Sequence, residues 1–397
     1  MLGPHGRGEL AAITLWPMAF VFIFSFGLNQ AIVYHTGKKS YTASQIWTAT
    51  CLVGVAQSVL VLGIGALLMP LLLHKYPADT RSLGLLFLFC APALMFSGYP
   101  GNVFQGQNDL FRFNLLRMIS PAIYAAGLVV LALLHKPSLK LILSIQGSAY
   151  LAALAVGIVI LYRTQHPTRS WDREAASGLL SYGVRTHLSN LTSYFNQRAD
   201  QLVLSLLIPA QQLGLYAVAV TIAMGVSFFP VAAGMVTFSR GSGQSEADLR
   251  NTIVRSFRMS LVWLLLGCSG LFFTAPYLIS ILLGPRFEGS ILACRLLLPG
   301  MVALGLNQVL YNGANAMGKP ALPSYAEASG LIITTSGLLL FVARFGFIGA
   351  AVVSTIAYIT SLVVMLALAR QRMNINPTEL LFGNGPQPAA GARMVGA

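Results

Sequence analysis

Phe104-Gln105-Gly106-Gln107-Asn108 closes one long apolar segment, and Tyr311-Asn312-Gly313-Ala314-Asn315 closes another 207 residues later. Gly8-Glu9-Leu10-Ala11-Ala12 has its counterpart in Gly214-Leu215-Tyr216-Ala217-Val218 at an offset of 206, each a few residues after a proline, Pro4 and Pro209. Matching elements at one offset predict two bundles of similar plan, and internal repeats among apolar helices are a common build of membrane transporters. The second copy has a whole segment before Gly214, whereas only seven residues precede Gly8. Each aromatic-x-Gly-x-Asn element reads as a helix end, with Gly or Asn taking the left-handed conformation at the turn.

The composition between these markers is that of a bilayer protein. Apolar residues make up 56 % of the 397 and charged residues 9 %, too little charge for a solvated exterior. A helix needs roughly twenty apolar residues to cross the hydrocarbon core. Eleven segments qualify or nearly do, at about 10 to 34, 46 to 73, 83 to 104, 113 to 134, 139 to 162, 179 to 208, 213 to 239, 252 to 283, 288 to 315, 321 to 343 and 346 to 370. None shows the alternation of barrel strands, so the predicted class is an all-α polytopic membrane protein. Four domains follow: residues 1–162 form an N-terminal bundle of five spans, 163–178 a cytoplasmic linker, 179–370 a C-terminal bundle of six, and 371–397 a partly disordered cytoplasmic tail.

The net charge of +14 is explained by orientation rather than by a nucleic-acid partner. Sorting the 25 Lys and Arg by connection puts fifteen on one side and seven on the other, and leaves Arg185, Arg198 and Arg295 inside spans. The richer side, which holds the carboxyl terminus, should face the cytoplasm. Cys51, Cys90, Cys268 and Cys294 all fall inside spans without paired or metal-type spacing and read as small buried side chains. Pro100-Gly101 is the sharpest candidate hinge among the prolines within spans.

Several short motifs resemble one family. Leu2-Gly3-Pro4-x-Gly6-Arg7-Gly8-Glu9-Leu10 looks like the loop between the first two helices of polysaccharide exporters. Leu180-x-Tyr182-Gly183, Arg198-x-Asp200-Gln201-Leu202-Val203-Leu204 and Leu213-Gly214-Leu215-Tyr216-x-Val218-Ala219 resemble their seventh and eighth helices, and Phe347-Ile348-Gly349-Ala350-Ala351 the start of the twelfth. The family is the multidrug, oligosaccharidyl-lipid and polysaccharide (MOP) exporter superfamily, and within it the Wzx-type flippases of lipid-linked oligosaccharides. The resemblance implies a MATE/MurJ-like pair of bundles around a central cavity, with alternating access. It implies a lipid-linked oligosaccharide as substrate, with membrane lipids and a polysaccharide polymerase or glycosyltransferases as partners. A first helix is missing from the pattern, since Met1 falls where that helix should already have ended. A start codon assigned too late and a natural truncation both fit.

Function should lie on segment 179–208. It carries Arg185, His187, Asn190, Tyr194, Arg198, Asp200 and Gln201 among other polar residues, and each central charge facing acyl chains would cost at least roughly 2.5 kcal/mol. His187, Asn190, Tyr194, Arg198 and Gln201 recur at spacings of three or four and share one face. That face is expected to line a cavity in which Arg198, with Arg185 and His187, attracts a pyrophosphate, because the guanidinium fork stays charged and grips phosphate bidentately. The alternative is that Arg198 and Asp200 belong to separate structural pairs and that Arg185 snorkels to the interface. Asp200 and Glu327 are candidates for binding a driving proton or sodium ion; Glu327 could instead pair with Arg295, and Arg117 and Asn29-Gln30 are weaker suspects.

No phosphate loop, Asp-x-Asp pair or ligand-spaced His or Cys cluster is present in the sequence, so neither a catalytic site nor a bound cofactor is expected. The expected function is translocation of a lipid-linked oligosaccharide across the cytoplasmic membrane for surface polysaccharides such as O-antigen. An ion-coupled multidrug exporter of the same superfamily and a non-transporting scaffold of a glycan assembly complex are the alternatives. A cationic wall favours the glycan-lipid anion.

Overall fold

Fourteen α-helices, with two single 3-10 turns and one π turn, make up the regular structure of the residues described by the computed structural model, which are 2–135, 138–241 and 245–381. The helices are α1 (Pro4–Phe24), α2 (Leu28–Lys38), α3 (Ala43–Leu72), α4 (Ala78–Leu88), α5 (Ala91–Gly106), α6 (Leu110–Leu133) and α7 (Leu139–Gln165). They continue with α8 (Arg173–Leu207), α9 (Ala210–Met224), α10 (Phe228–Gly241), α11 (Glu246–Leu282), α12 (Ser290–Ala316), α13 (Ala321–Leu368) and α14 (Pro377–Leu381). Among the described residues nine helical stretches are long and apolar enough to cross a membrane. One of them, Ala321–Met373, holds two of the predicted spans, because Gly346 at φ 58° and ψ −143° breaks it in a region open almost only to glycine. The remaining predicted span is α8. Its 35 residues reach about 50 Å at the α-helical rise, but it is too polar to register by hydropathy.

Several of the expected boundaries change: α8 and α11 begin about six residues early, the connection expected over 163–178 narrows to 166–172, and the first span shifts at both ends. The span expected from about residue 10 begins at Pro4, so the loop expected over Leu2 to Leu10 is helical from the proline onward. Proline suits the first helical position, where its missing N–H has no partner to lose. The polar residues of that first stretch are satisfied locally: Glu9 accepts a hydrogen bond from Thr80 at 2.6 Å and lies 3.6 Å from the His5 ring. The same span stops at Phe24, where Phe26 and Gly27 take positive φ before α2 resumes. Pro100 and Gly101, in contrast, lie within the continuous helix α5. The disorder expected of the tail falls mostly on residues 382–397, outside those described.

The two aromatic-x-Gly-x-Asn elements end their helices differently. After α5 the Asp109 N–H donates to Phe104 O and the Asn108 N–H to Gln105 O, with Asn108 at φ 62°. This is the double bond pattern of a Schellman cap. After α12 the same pair of bonds runs from Lys319 to Ala314 and from Gly318 to Asn315, with Gly318 at φ 70°. The left-handed residue is therefore Gly318, not Asn315: the second helix runs three residues past the sequence match, because a glycine is there to accept the turn.

The chain divides into two units. In the first, comprising Met1–Ala219, Pro276–Ala293 and Gly337–Ala350, α5 packs on α2, α3, α6 and α7, while α8 lies on α1, α2 and α3. The seven residues between α7 and α8 are tied to the start of α3: Thr168 N donates to Ser44, Ser170 N to Thr48, and Gln45 to Asp172 at 2.7 Å. The second unit comprises Val220–Ala275, Cys294–Ser336 and Ala351–Ala397. Inside it Leu264 of α11 meets Gly305, Thr355 donates to Leu296 O at 2.7 Å, and Arg258 and Lys319 donate to the carbonyls of Glu379 and Arg372.

Within the first unit the repeated Gly8 and Gly214 pack against each other's neighbourhood. A Cβ on Gly8 would lie 1.7 Å from Ala210 O, and one on Gly214 only 1.9 Å from Pro4 O. At the repeat offset, Pro4 and Gly8 correspond to Ala210 and Gly214. Each copy's glycine thus meets the residue four before the other copy's glycine, the self-complementary pattern of a two-fold interface. Close backbone approach through small residues is how helices gain packing energy in lipid, where the hydrophobic effect between them is absent.

Candidate functional site

Helix α8 starts cleanly because Asp172 caps it, its Oδ1 accepting from Glu174 N at 2.8 Å and Ala175 N at 3.4 Å. From there it runs antiparallel to α2 and then α1. The crossing is tightest where Gly183 meets Gly27: a Cβ on Gly27 would lie 2.2 Å from Gly183 O, and one on Gly183 2.5 Å from Phe26 O. Gly27 also supplies the positive φ at which α1 gives way to α2.

The aromatic residues of α1 and α2 face α8 along this contact. Tyr182 stacks on Tyr34 with centroids 3.9 Å apart, and Tyr194 stacks on Phe22 at 4.2 Å. His187 lies between them, packed against Phe22 and Phe26, with its Nε2 2.9 Å from Ile23 O. Nearer the end of α8, Trp16 donates to Ser205 Oγ at 3.1 Å. A polar helix that faces no acyl chain here faces rings, which offer flat apolar surface with polar edges.

The structure brings together His187 and Tyr194 around Phe22. Asn190 bonds back to its own helix, its amide donating to Thr186 O at 3.1 Å, and Gln201 is buried. Arg198 is half-buried one turn beyond Tyr194, within its electrostatic reach, and Arg185 is exposed on another side of the helix. Among the described residues the ion pairs are His5–Glu9, Asp109–Arg112 and Glu246–Arg250, so neither Arg185 nor Arg198 has a carboxylate partner there. Such guanidinium groups remain available to an anion.

Asp200 is 2 % exposed and does not pair with Arg198. Its Oδ2 accepts from the Tyr216 hydroxyl of α9, and its Oδ1 from Gln201 N at 2.7 Å. Glu327, fully buried in the second unit, accepts from the Asn307 amide at 3.1 Å. Arg295 turns elsewhere, donating to Phe272 O at 3.0 Å with its guanidinium 4.7 Å from that ring's centroid, so the expected pairing of Glu327 with Arg295 is replaced by separate partners. Among the suspects of lower weight, Arg117 is exposed on α6 and Asn29 accepts from Asn102 at 2.7 Å. No three His, Cys, Asp or Glu residues stand close enough to hold a metal among the described residues.

Sequence reasoning passed over Phe22, Phe26, Tyr34 and Tyr216. The first two belong to an evenly spaced aromatic row, Phe20, Phe22, Phe24 and Phe26, which is a visible signal. Tyr216 lay inside a motif already singled out for its order in the chain, without a role.

Residues 1–240 match the family described as "Polysaccharide biosynthesis protein". No curated protein matches the sequence. Among solved structures, an inward-facing multidrug resistance MATE family transporter of the MOP superfamily superposes with a TM-score of 0.79 at 13 % identity, over 94 % of this chain and 91 % of that one. The lipid II flippase MurJ, in an inward closed conformation, gives 0.71 at 13 % identity over 92 % and 85 %. A MOP superfamily transporter from Pyrococcus furiosus, described as having a binding pocket of reverse polarity, gives 0.67 at 13 % identity over 95 % and 88 %. At these identities the likeness establishes the fold, which is that of MOP-superfamily transporters.

Proposed function

The chain belongs to the polysaccharide biosynthesis protein family, and on that premise we propose that it carries a polyprenyl-pyrophosphate-linked oligosaccharide across the cytoplasmic membrane for surface polysaccharide assembly. The carrying observation is α8: a helix long enough to span, too polar for lipid, with Arg185 and Arg198 inside it lacking a carboxylate partner among the described residues. Arg198 is the anchor for the pyrophosphate, Arg185 attracts it from the exposed side, and His187, Asn190, Tyr194 and Gln201 shape the surface that the glycan passes. The fold, shared with a protein named a lipid II flippase, supports alternating access as the route. Asp200 and Glu327, each buried and held by a neutral donor, suit a carboxylate that exchanges a proton or sodium ion during the cycle. The richer basic side, with the carboxyl terminus, faces the cytoplasm. A polymerase or glycosyltransferases would act beside it.

Arg198→Ala in a flippase-deficient strain is expected to cut surface polysaccharide at least tenfold, the loss of one charge-assisted contact of roughly 1.5–3 kcal/mol, at unchanged protein level. Normal polysaccharide at normal protein level would overturn the assignment of Arg198.

A further inference from the structure

Where α8 ends, the first unit holds a groove of about 620 Å³ lined by Leu207, Ile208 and Gln212 and, from the segment that leads into the Gly346 break, by Leu339, Arg344 and Phe345. We propose that this groove seats the headgroup of an anionic bilayer phospholipid of the phosphatidylglycerol kind. The proposal does not rest on the glycan-lipid reading. Two cations define the site. Arg344 is part of its lining, and the Lys75 ammonium reaches Leu207 O at 3.5 Å, which places it at the rim. Neither has a carboxylate within ion-pair distance among the described residues; the contact Arg344 makes is with the Phe345 ring, 5.8 Å from its centroid. Sorted by connection, Lys75 (between the second and third predicted spans) and Arg344 (between the last two) fall on the same side of the membrane, the side with seven basic residues.

The walls decide which anion fits. Leu339 is 67 % exposed, Phe345 54 % and Leu207 46 %, the first two on the same helix as Arg344 and the third carrying the carbonyl that Lys75 reaches. A free phosphate or a soluble nucleotide would gain nothing from these side chains. A phosphodiester carrying acyl chains satisfies both parts: the phosphate lies between the ammonium and the guanidinium, and the chains run along the leucine and phenylalanine surface. The Gln212 amide, whose Oε1 lies 3.1 Å from where a Cβ on Gly346 would stand, adds a neutral polar group suited to a glycerol hydroxyl. A zwitterionic phosphatidylcholine brings a trimethylammonium toward the same two cations and should be rejected.

The full chain, purified in neutral detergent, is titrated against fluorescently labelled phosphatidylglycerol and phosphatidylcholine, with anisotropy as the readout. Phosphatidylglycerol should bind more tightly, Lys75→Gln and Arg344→Gln should each weaken it about fivefold, and the double variant roughly twentyfold. Arg370→Gln, which removes an exposed cation elsewhere, should leave it unchanged. Raising salt should weaken phosphatidylglycerol binding to the unmodified protein and leave phosphatidylcholine binding as it was, a test that needs no variant. Equal affinity for the two lipids, salt-independent binding of phosphatidylglycerol, or a well-folded double variant with the parent's affinity would each overturn the proposal.

Discussion

Helices α8 and α11 are nearly equal in length, 35 and 37 residues, and solve opposite problems. Over its second half α11 presents apolar side chains outward: Leu266 is 70 % exposed, Phe273 69 % and Ile281 80 %, which suits acyl chains. Along its length α8 carries polar groups, and its His187, Asp200 and Gln201 are buried. The two also treat glycine differently. Gly270 on α11 has open space where a Cβ would stand, whereas Gly183 on α8 is in contact with the backbone of Phe26 and Gly27. A span that faces lipid needs only apolar side chains, but one that faces protein with a polar surface needs matched partners and close approach.

The largest effect should come from filling the tight crossing. Gly183→Ala forces backbone away from backbone and is expected to cost about 3 kcal/mol, at the upper end for overpacking. Gly270→Ala should stabilise by up to about 1 kcal/mol, the helix-propensity gain with nothing to clash against. Thermal unfolding of the purified variants measures both. Shifts of the same sign and size would break the comparison, since they would mean that the α1–α8 contact is no tighter than a lipid-facing surface.

The second effect concerns buried polar groups. Tyr216→Phe removes a hydrogen bond to a buried carboxylate and is expected to cost about 1–3 kcal/mol. Its counterpart on α11 is Ser260, fully buried with no partner for its hydroxyl among the described residues, so Ser260→Ala should be neutral or mildly stabilising. Were Ser260→Ala as damaging as Tyr216→Phe, polar satisfaction would not be what separates the two helices.

These pairs also mark how far the sequence could be read. The spans are legible because hydrocarbon demands long apolar runs, and the split at Gly346 already shows as the gap between 343 and 346. The break at Gly27 is hidden, because Phe20 to Leu28 is apolar but for Ser25 and the reason for the break is another helix crossing there. The repeat of Gly8 and Gly214 was plain in one dimension, but that the two copies touch is a fact of three. On the candidate site, polarity singled out α8 and its arginines. The partners of its buried groups were out of reach: Ile23 O is 164 residues from His187, and Tyr216 lies beyond the turn at Pro209. Spacing along one helix says which side chains share a face, not what that face meets.

The smallest effect is at the solvated starts of the two helices. Asp172 caps α8 through two backbone N–H groups and also accepts from Gln45 of α3, so it joins a helix end to a neighbouring helix. Asp172→Ala should cost about 1 kcal/mol, as for a typical N-cap. Glu246, the first residue of α11, makes an i,i+4 pair with Arg250 at 3.0 Å, with 64 % of its side chain exposed. Solvent screens that pair, and Glu246→Gln should cost less than about 0.5 kcal/mol and vanish in high salt. A Glu246→Gln penalty equal to that of Asp172→Ala and insensitive to salt would show the start of α11 to be as firmly tied as that of α8. The contrast between a helix held by its partners and one held by the bilayer would then stop at their cores.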